Sequence, residues 1–181
     1  MAKVKDLILG VDPGLTGALA FYTLAGGYLE TVHDMPIGLP NKRAASPAQN
    51  CRYIDPYQLS LGLIEPRVER IRYAVIEKVH AMPRDGVVGS FSFGQGFGMV
   101  IGVLASFMVP IHLVDPGAWK SALGLGHVKE ESINLANRLF CTNYGPQHKP
   151  EDLWPLKKHH GRAEAALLCH YAAVHLHKYN H

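Results

Sequence analysis

The segment that most constrains the fold is Asp6-Leu-Ile-Leu-Gly-Val-Asp12, followed at once by Pro13 and Gly14. A compact apolar run of this length, not alternating with polar residues, reads as a strand buried on both faces and therefore central in a sheet. Pro and Gly force a turn directly after it, which places the Asp12 carboxylate at the end of the sheet, where ligands collect in α/β proteins. Two further strand-like runs follow, GALAFYTL (17–24) and GYLETVHDM (27–35), separated by Gly26-Gly27, a hairpin signal. Three successive antiparallel strands therefore open the chain.

The rest alternates. From Met35 to Cys51 the residues are Pro, Asn, Lys, Arg and Ser in large part, which predicts a surface excursion. Asp55-Pro56 reads as a helix N-cap with Pro at the first position, and Pro66 ends or kinks the helix. RYAVIEKV (72–79) predicts a strand with Val75, Glu77 and Val79 on one face. A loop, HAMPRDGVVGSFS, then leads to a Gly-punctuated helix over 93–108, a strand at PIHLVD, helices over 116–123 and 128–140, a polar loop, and a last helix at HHGRAEAALLCHYAA (159–173). Strands, helix, strand, helix, strand and helices make an α/β domain on one mixed sheet, a single domain over residues 1–181.

Composition narrows the function classes. With 48% hydrophobic and 18% charged residues the chain is globular rather than disordered. A net charge of +3 permits nucleic acid as a partner without demanding it, and the 11 histidines add latent positive charge below about pH 6.5. Cys51, Cys141 and Cys169 form no C-x-x-C pair, which argues against a zinc knuckle or a disulfide framework and fits a reducing compartment. The first apolar run is too short for a signal peptide. FGMVIGVLASFMVPIHLV is broken by Gly and Pro, so it reads as a buried helix followed by a strand rather than a membrane span. The expectation is a soluble, cytoplasmic protein with no membrane partner (host-cell cytoplasm if phage-encoded), an organelle being left open.

Four side chains stand out. Asp12 in isolation is a turn-initiating residue. Asp12-x-Gly14-x-Thr16-Gly17 also resembles the phosphate-holding hairpin of sugar kinases and actin-like ATPases, but those need two large domains and the chain is too short for both. Glu77 lies in an apolar strand, where a carboxylate is expensive to bury unless paired or metal-bound; the alternative is an exposed edge strand. His160 and Glu164, at i and i+4, project from one helix face at a spacing that lets two side chains share a metal ion, or else form a solvated helix start. If the first and fourth strands are neighbours, three acids and one imidazole converge. Such a donor set suits Mg²⁺ or Mn²⁺, and two such ions about 4 Å apart support in-line displacement at phosphorus.

The segments LGVDPGLTGALAF (9–21), AVIEK (74–78), MPRDG (82–86), GFGMVIGVL (96–104), WKSALGL (119–125) and HGRAEAALL (160–168) together resemble the RuvC-type Holliday-junction resolvases of the RNase H-like superfamily, with a leaning to the plant chloroplast branch and its bacterial and viral relatives. The resemblance implies an RNase H-like five-stranded mixed sheet, three antiparallel strands then two parallel, flanked by helices, with the first and fourth strands adjacent. It also implies a homodimer that nicks two opposed strands of branched DNA, a four-way junction, using two Mg²⁺ or Mn²⁺ ions per site. By position, Asp12, Glu77, His160 and Glu164 match the metal-site and catalytic residues. Many bacterial relatives carry acids, or His and Asp, at D-x-x-D spacing, whereas H-x-x-x-E here matches the chloroplast branch. The role of His160 as ligand, general base or both stays open.

Lys120 matches a family lysine that holds the scissile phosphate; a surface lysine is the alternative. Arg162 is read either as a phosphate contact or as half of an internal salt bridge. Arg84, Lys157 and Lys158 are expected to face DNA, and Phe91 or Phe93 to stack on unpaired bases, with Phe97 in the core. Met99, Val100, Val103 and Phe107 on the Gly-rich helix are the expected dimer seam. Two rival functions remain: an RNase H-like nuclease acting on RNA or an rRNA precursor, and a junction-binding protein without activity.

Overall fold

The computed structural model describes residues 5–38, 52–79, 86–126, 128–141, 149–156 and 159–176. The opening run is strand β1 (Leu7–Asp12), with Leu7 to Val11 fully buried. It pairs antiparallel with β2 (Ala18–Thr23), and β2 with β3 (Tyr28–Asp34), across a turn containing Gly26 and Gly27. On its other side β1 runs parallel to β6 (Ile71–Glu77), which runs parallel to β7 (Ile111–Val114). The order β3-β2-β1-β6-β7 is the five-stranded mixed sheet expected from the sequence. Ile37–Gly38 (β4) and Tyr53–Ile54 (β5) pair in a two-stranded ribbon that the Pro- and Asn-rich composition concealed, while residues 39–51 of the expected surface excursion lie outside the described residues.

Burial alternates by strand parity. Ile8 on β1 and Tyr73 and Val75 on β6 face the layer formed by α2 (Pro116–Ala122), α3 (Lys129–Phe140) and α5 (His160–Tyr171). Leu7, Leu9 and Val11 with Ala74 and Ile76 face the opposite layer, where Val100 and Leu104 of α1 (Val87–Ser106) pack with Ile54, Leu59 and Ile64. A short helix, α4 (Pro150–Leu153), precedes α5 and was not anticipated. Asp55 caps the helical segment after β5: the Tyr57 and Gln58 N–H groups donate to its Oδ1 at 2.9 and 3.1 Å. The segment is a π-helical stretch over Gln58–Ile64 that tightens to a 3-10 turn containing Pro66.

Four expectations need correction. The fourth main strand ends at Glu77, so Glu77 is its last residue rather than an interior one, and Val79 lies beyond it. Helix α1 begins at Val87 rather than 93, so Phe91 is helical along with Phe93. The early turns carry weak helix formers and stand away from the sheet, the first buried side being at Gly96, so burial periodicity does not announce them. Val100 is fully buried against the sheet and is unavailable to a dimer seam, whereas Met99, Val103 and Phe107 are partly buried. By length and composition alone α1 is long enough to cross a membrane. Its Gly96, Val100 and Leu104 stripe is nonetheless buried, and the rest of the helix is not, so the expected buried helix is a half-covered one.

Candidate active site

Asp12 and Glu77 stand at the ends of adjacent parallel strands, one position beyond the Val11–Ile76 pair. Asp12 continues the face of Ile8 and Gly10, and Glu77 that of Tyr73 and Val75, so parity sends both carboxylates toward the α2–α3–α5 layer. Helix α5 crosses β1 at very short range. A Cβ added at Gly10 would lie 2.1 Å from the Ala165 carbonyl oxygen, and one at Gly161 would lie 2.8 Å from Asp12 Oδ2. Glycine at these two positions lets the start of α5, with His160 and Glu164, press against the end of the central strand.

The acids feel one another. Burial pushes the Asp12 carboxyl up to about 7, opposed by the Gly14 N–H donating to its Oδ1 at 3.2 Å; Glu164 and Glu77 raise it further, and Lys120 opposes them. Glu77 is also raised by burial, against the lowering effects of a hydrogen bond from Trp119 and the charge of Lys120. Trp119 Nε1–H donates to Glu77 Oε2 at 2.8 Å. Lys120 Nζ lies 3.0 Å from Glu164 Oε1, and Ser132 Oγ–H donates to the same oxygen at 3.2 Å. A cleft of about 130 Å³ opens beside them, lined by Lys120, Lys129, Ser132, His160 and Glu164 among others.

Three carboxylates, one imidazole and no thiolate make a donor set that fits a hard divalent cation. The raising of Asp12 by Glu164 and Glu77, and of Glu77 by Glu164, is the physical sign of that fit, because like charges brought together under burial call for a cation. Among the described residues, no three His, Cys, Asp or Glu side chains are drawn to a common point. Protein donors hold two of the acids instead: Trp119 holds Glu77, and Lys120 with Ser132 holds Glu164.

The other predicted residues divide. Of the two readings of Arg162, the internal pair is the one formed: its Nε and Nη2 donate to Asp34 at 2.5 and 2.6 Å, and Nη1 donates to the Leu153 carbonyl at 3.0 Å. Phe91 is 73% exposed and Phe93 39% exposed. Phe93 leans toward the site, its Cε2 lying 3.9 Å from where a Cβ would stand on Gly14. Phe97 packs against the core. Arg84, Lys157 and Lys158 lie outside the described residues, as does Cys51. Sequence reading passed over Trp119, Ser132 and Lys129. A signal existed for Trp119: a buried indole N–H needs an acceptor, and a carboxylate ending an apolar strand needs a donor.

Among solved structures, the chain is similar to Thermus thermophilus RuvC in complex with a Holliday junction substrate, at 17% identity over 93% of this chain and 95% of that one, with a TM-score of 0.52. It is also similar to a Thermus thermophilus RuvC structure at 20% identity over the same shares, with a TM-score of 0.50. Likeness at this level of identity is one of fold, and the fold is the RNase H-like fold of RuvC. No protein-family model and no curated protein sequence matches the chain.

Proposed function

We propose that this protein is a structure-specific endonuclease that resolves four-way DNA junctions by divalent-metal-dependent hydrolysis of phosphodiesters, acting as a homodimer that makes paired symmetrical nicks. The observation that carries the reading is that Asp12 and Glu77 end adjacent strands of an RNase H-like sheet, with Glu164 near enough to raise both carboxyls and Lys120 beside Glu164. The likeness in fold to a RuvC that holds a Holliday junction supports DNA as the partner. The His160-x-x-x-Glu164 spacing supports the chloroplast-like branch over the common bacterial pattern.

In this reading Asp12, Glu77 and Glu164, with His160 as ligand or base, hold Mg²⁺ or Mn²⁺. Such cations, two per site, supply activation of the attacking water and neutralise charge on the departing oxygen. The chain's own residues do the rest. Lys120 turns from Glu164 toward the scissile phosphate, and Lys129, at the mouth of the same cleft, adds positive charge along the backbone. Phe91, the more exposed ring, stacks on an unpaired base at the exchange point, while Phe93 lies beside Gly14 in the turn after Asp12. Two-fold pairing repeats one pocket across an axis, as two opposed cuts require.

A panel of end-labelled substrates tests this: a synthetic four-way junction, a linear duplex, an RNA–DNA hybrid and a structured RNA, each with Mg²⁺ and with EDTA. Selective, Mg²⁺-dependent nicking of the junction is expected. Preferential cutting of RNA or hybrid would assign the protein to the RNA-processing rival, and tight junction binding without cutting would make it a binding protein.

A further inference from the structure

Glu77 ends β6 beside Val114 of β7, and the chain leaves β7 through Asp115 into α2. One turn of that helix brings Trp119 back over the strand end. Its side chain is fully buried, and its single N–H donates to Glu77 Oε2 at 2.8 Å. An indole has one hydrogen to donate and no acceptor, so the bond fixes which oxygen of Glu77 faces the protein. Among the described residues, Trp119 is the one hydrogen-bond donor to this carboxylate. The chain's second tryptophan, Trp154, donates instead to Asn137 Oδ1 at 2.6 Å, a contact that packs α3 rather than serving the acids.

We infer that Trp119 is a positioning residue for cation binding, its indole N–H holding Oε2 of Glu77 so that Oε1 is the oxygen presented to a divalent cation at Asp12. The inference rests on the reading of Glu77 as a metal-site carboxylate. A ligating carboxylate is commonly held by such a partner, and removal of the partner lowers metal affinity about 10- to 100-fold. Packing alone does not account for the contact, because a tryptophan that served only the core would satisfy its N–H on any acceptor, and this one meets the acid that ends the strand next to Asp12.

The test is calorimetric titration with Mn²⁺ of four proteins: wild type, Glu77→Gln, Trp119→Phe, and the double variant. A fifth protein carries β-(3-benzothienyl)alanine at position 119, which keeps the bicyclic shape and replaces the N–H by sulfur. Both position-119 proteins are expected to bind Mn²⁺ at least about 10-fold more weakly, with cleavage recovering in excess metal and junction affinity unchanged. In the Glu77→Gln background, Trp119→Phe should bring no further loss. In ¹H–¹⁵N spectra, Mg²⁺ should shift the Trp119 indole resonance and leave that of Trp154 in place. If Glu77→Gln binds Mn²⁺ as the wild type does, or if the wild type binds none, the metal-site reading of Glu77 itself fails. If Glu77→Gln weakens binding and the isosteric protein does not, or if the Trp119 resonance stays still, the inference about Trp119 is overturned and the metal-site reading stands.

Discussion

Replacing Asp12 by Asn should make the protein more stable when no divalent cation is present, and the structure supplies the size of the effect. Burial, Glu164 and Glu77 raise the Asp12 carboxyl from 3.8 to about 7. A rise of that extent opposes the ionised native protein by about 4 kcal/mol at full development. The native state holds this proton between pH 3.8 and about 7 while the unfolded chain has already released it. The Asp12 contribution to wild-type stability is therefore fully present below 3.8, declines as pH rises through that window, and is flat above it. Asn keeps an oxygen to accept the Gly14 N–H and carries no charge. Allowing for relaxation of the site, the gain at pH 8 should be about 2 kcal/mol, or roughly 4–8 °C in melting temperature for a chain of this size. Thermal melts in EDTA at pH 4.5, 6 and 8 would measure it, and the gap between variant and wild type should widen with pH. Saturating Mg²⁺ should then narrow or reverse the gap, since it stabilises the wild type selectively. A variant that is less stable than wild type at pH 8 in EDTA, or a gap independent of pH, would mean that Asp12 is not held protonated by its burial and its acidic neighbours.

Other expectations follow from single contacts. Gly10→Ala should abolish folding or lower stability by several kcal/mol, because its methyl would lie 2.1 Å from the Ala165 carbonyl oxygen; soluble protein with normal near-ultraviolet circular dichroism would contradict this. Arg162→Ala should lower stability by about 1–2 kcal/mol in denaturant melts, since it releases Asp34 and the Leu153 carbonyl together, and a double-mutant cycle with Asp34→Ala should recover coupling of that order. Lys120→Met should reduce junction cleavage at least 10-fold while gel-shift affinity changes less than threefold, because one of many phosphate contacts is lost but the one beside the acids is removed. His160→Asp should retain measurable cleavage where His160→Ala loses it; full activity of the alanine variant would take His160 out of the site.

Much of this architecture was legible because hydrophobic pattern and turn chemistry agreed. The unbroken Leu7–Val11 run demanded a central strand, Gly26-Gly27 marked the hairpin, and Asp55 capped its helix through its own side chain as the Asp-Pro pair predicted. Such local signals fail where the local preference is weak. Val87-Val88-Gly89-Ser90 favours no helix, yet Gly86 starts one, the Ser90 N–H bonding the Gly86 carbonyl at 2.9 Å. The positions of Asp12, Glu77, His160 and Glu164 could be named from a resemblance, but what holds them could not. Trp119 and Ser132 are distant from the acids in sequence, and only the packing of α2 over the end of β6 and of α3 against α5 brings their donors within reach. Arg162 illustrates the reverse limit: its sequence neighbourhood allowed phosphate or carboxylate, and the choice depended on where Asp34, 128 residues away, ends β3.

The most direct test of the account is single-turnover cleavage of a labelled four-way junction, with binding followed in parallel by gel shift, for wild type, Asp12→Asn and Glu77→Gln. All three should bind the junction with similar affinity, since phosphate contacts away from the acids carry binding. Only the wild type, and only with Mg²⁺ or Mn²⁺, should release paired nicked products. Wild-type cleavage rates from either variant would place the chemistry elsewhere on the molecule, and an intact junction after prolonged incubation of the wild type with either metal would contradict the assigned function.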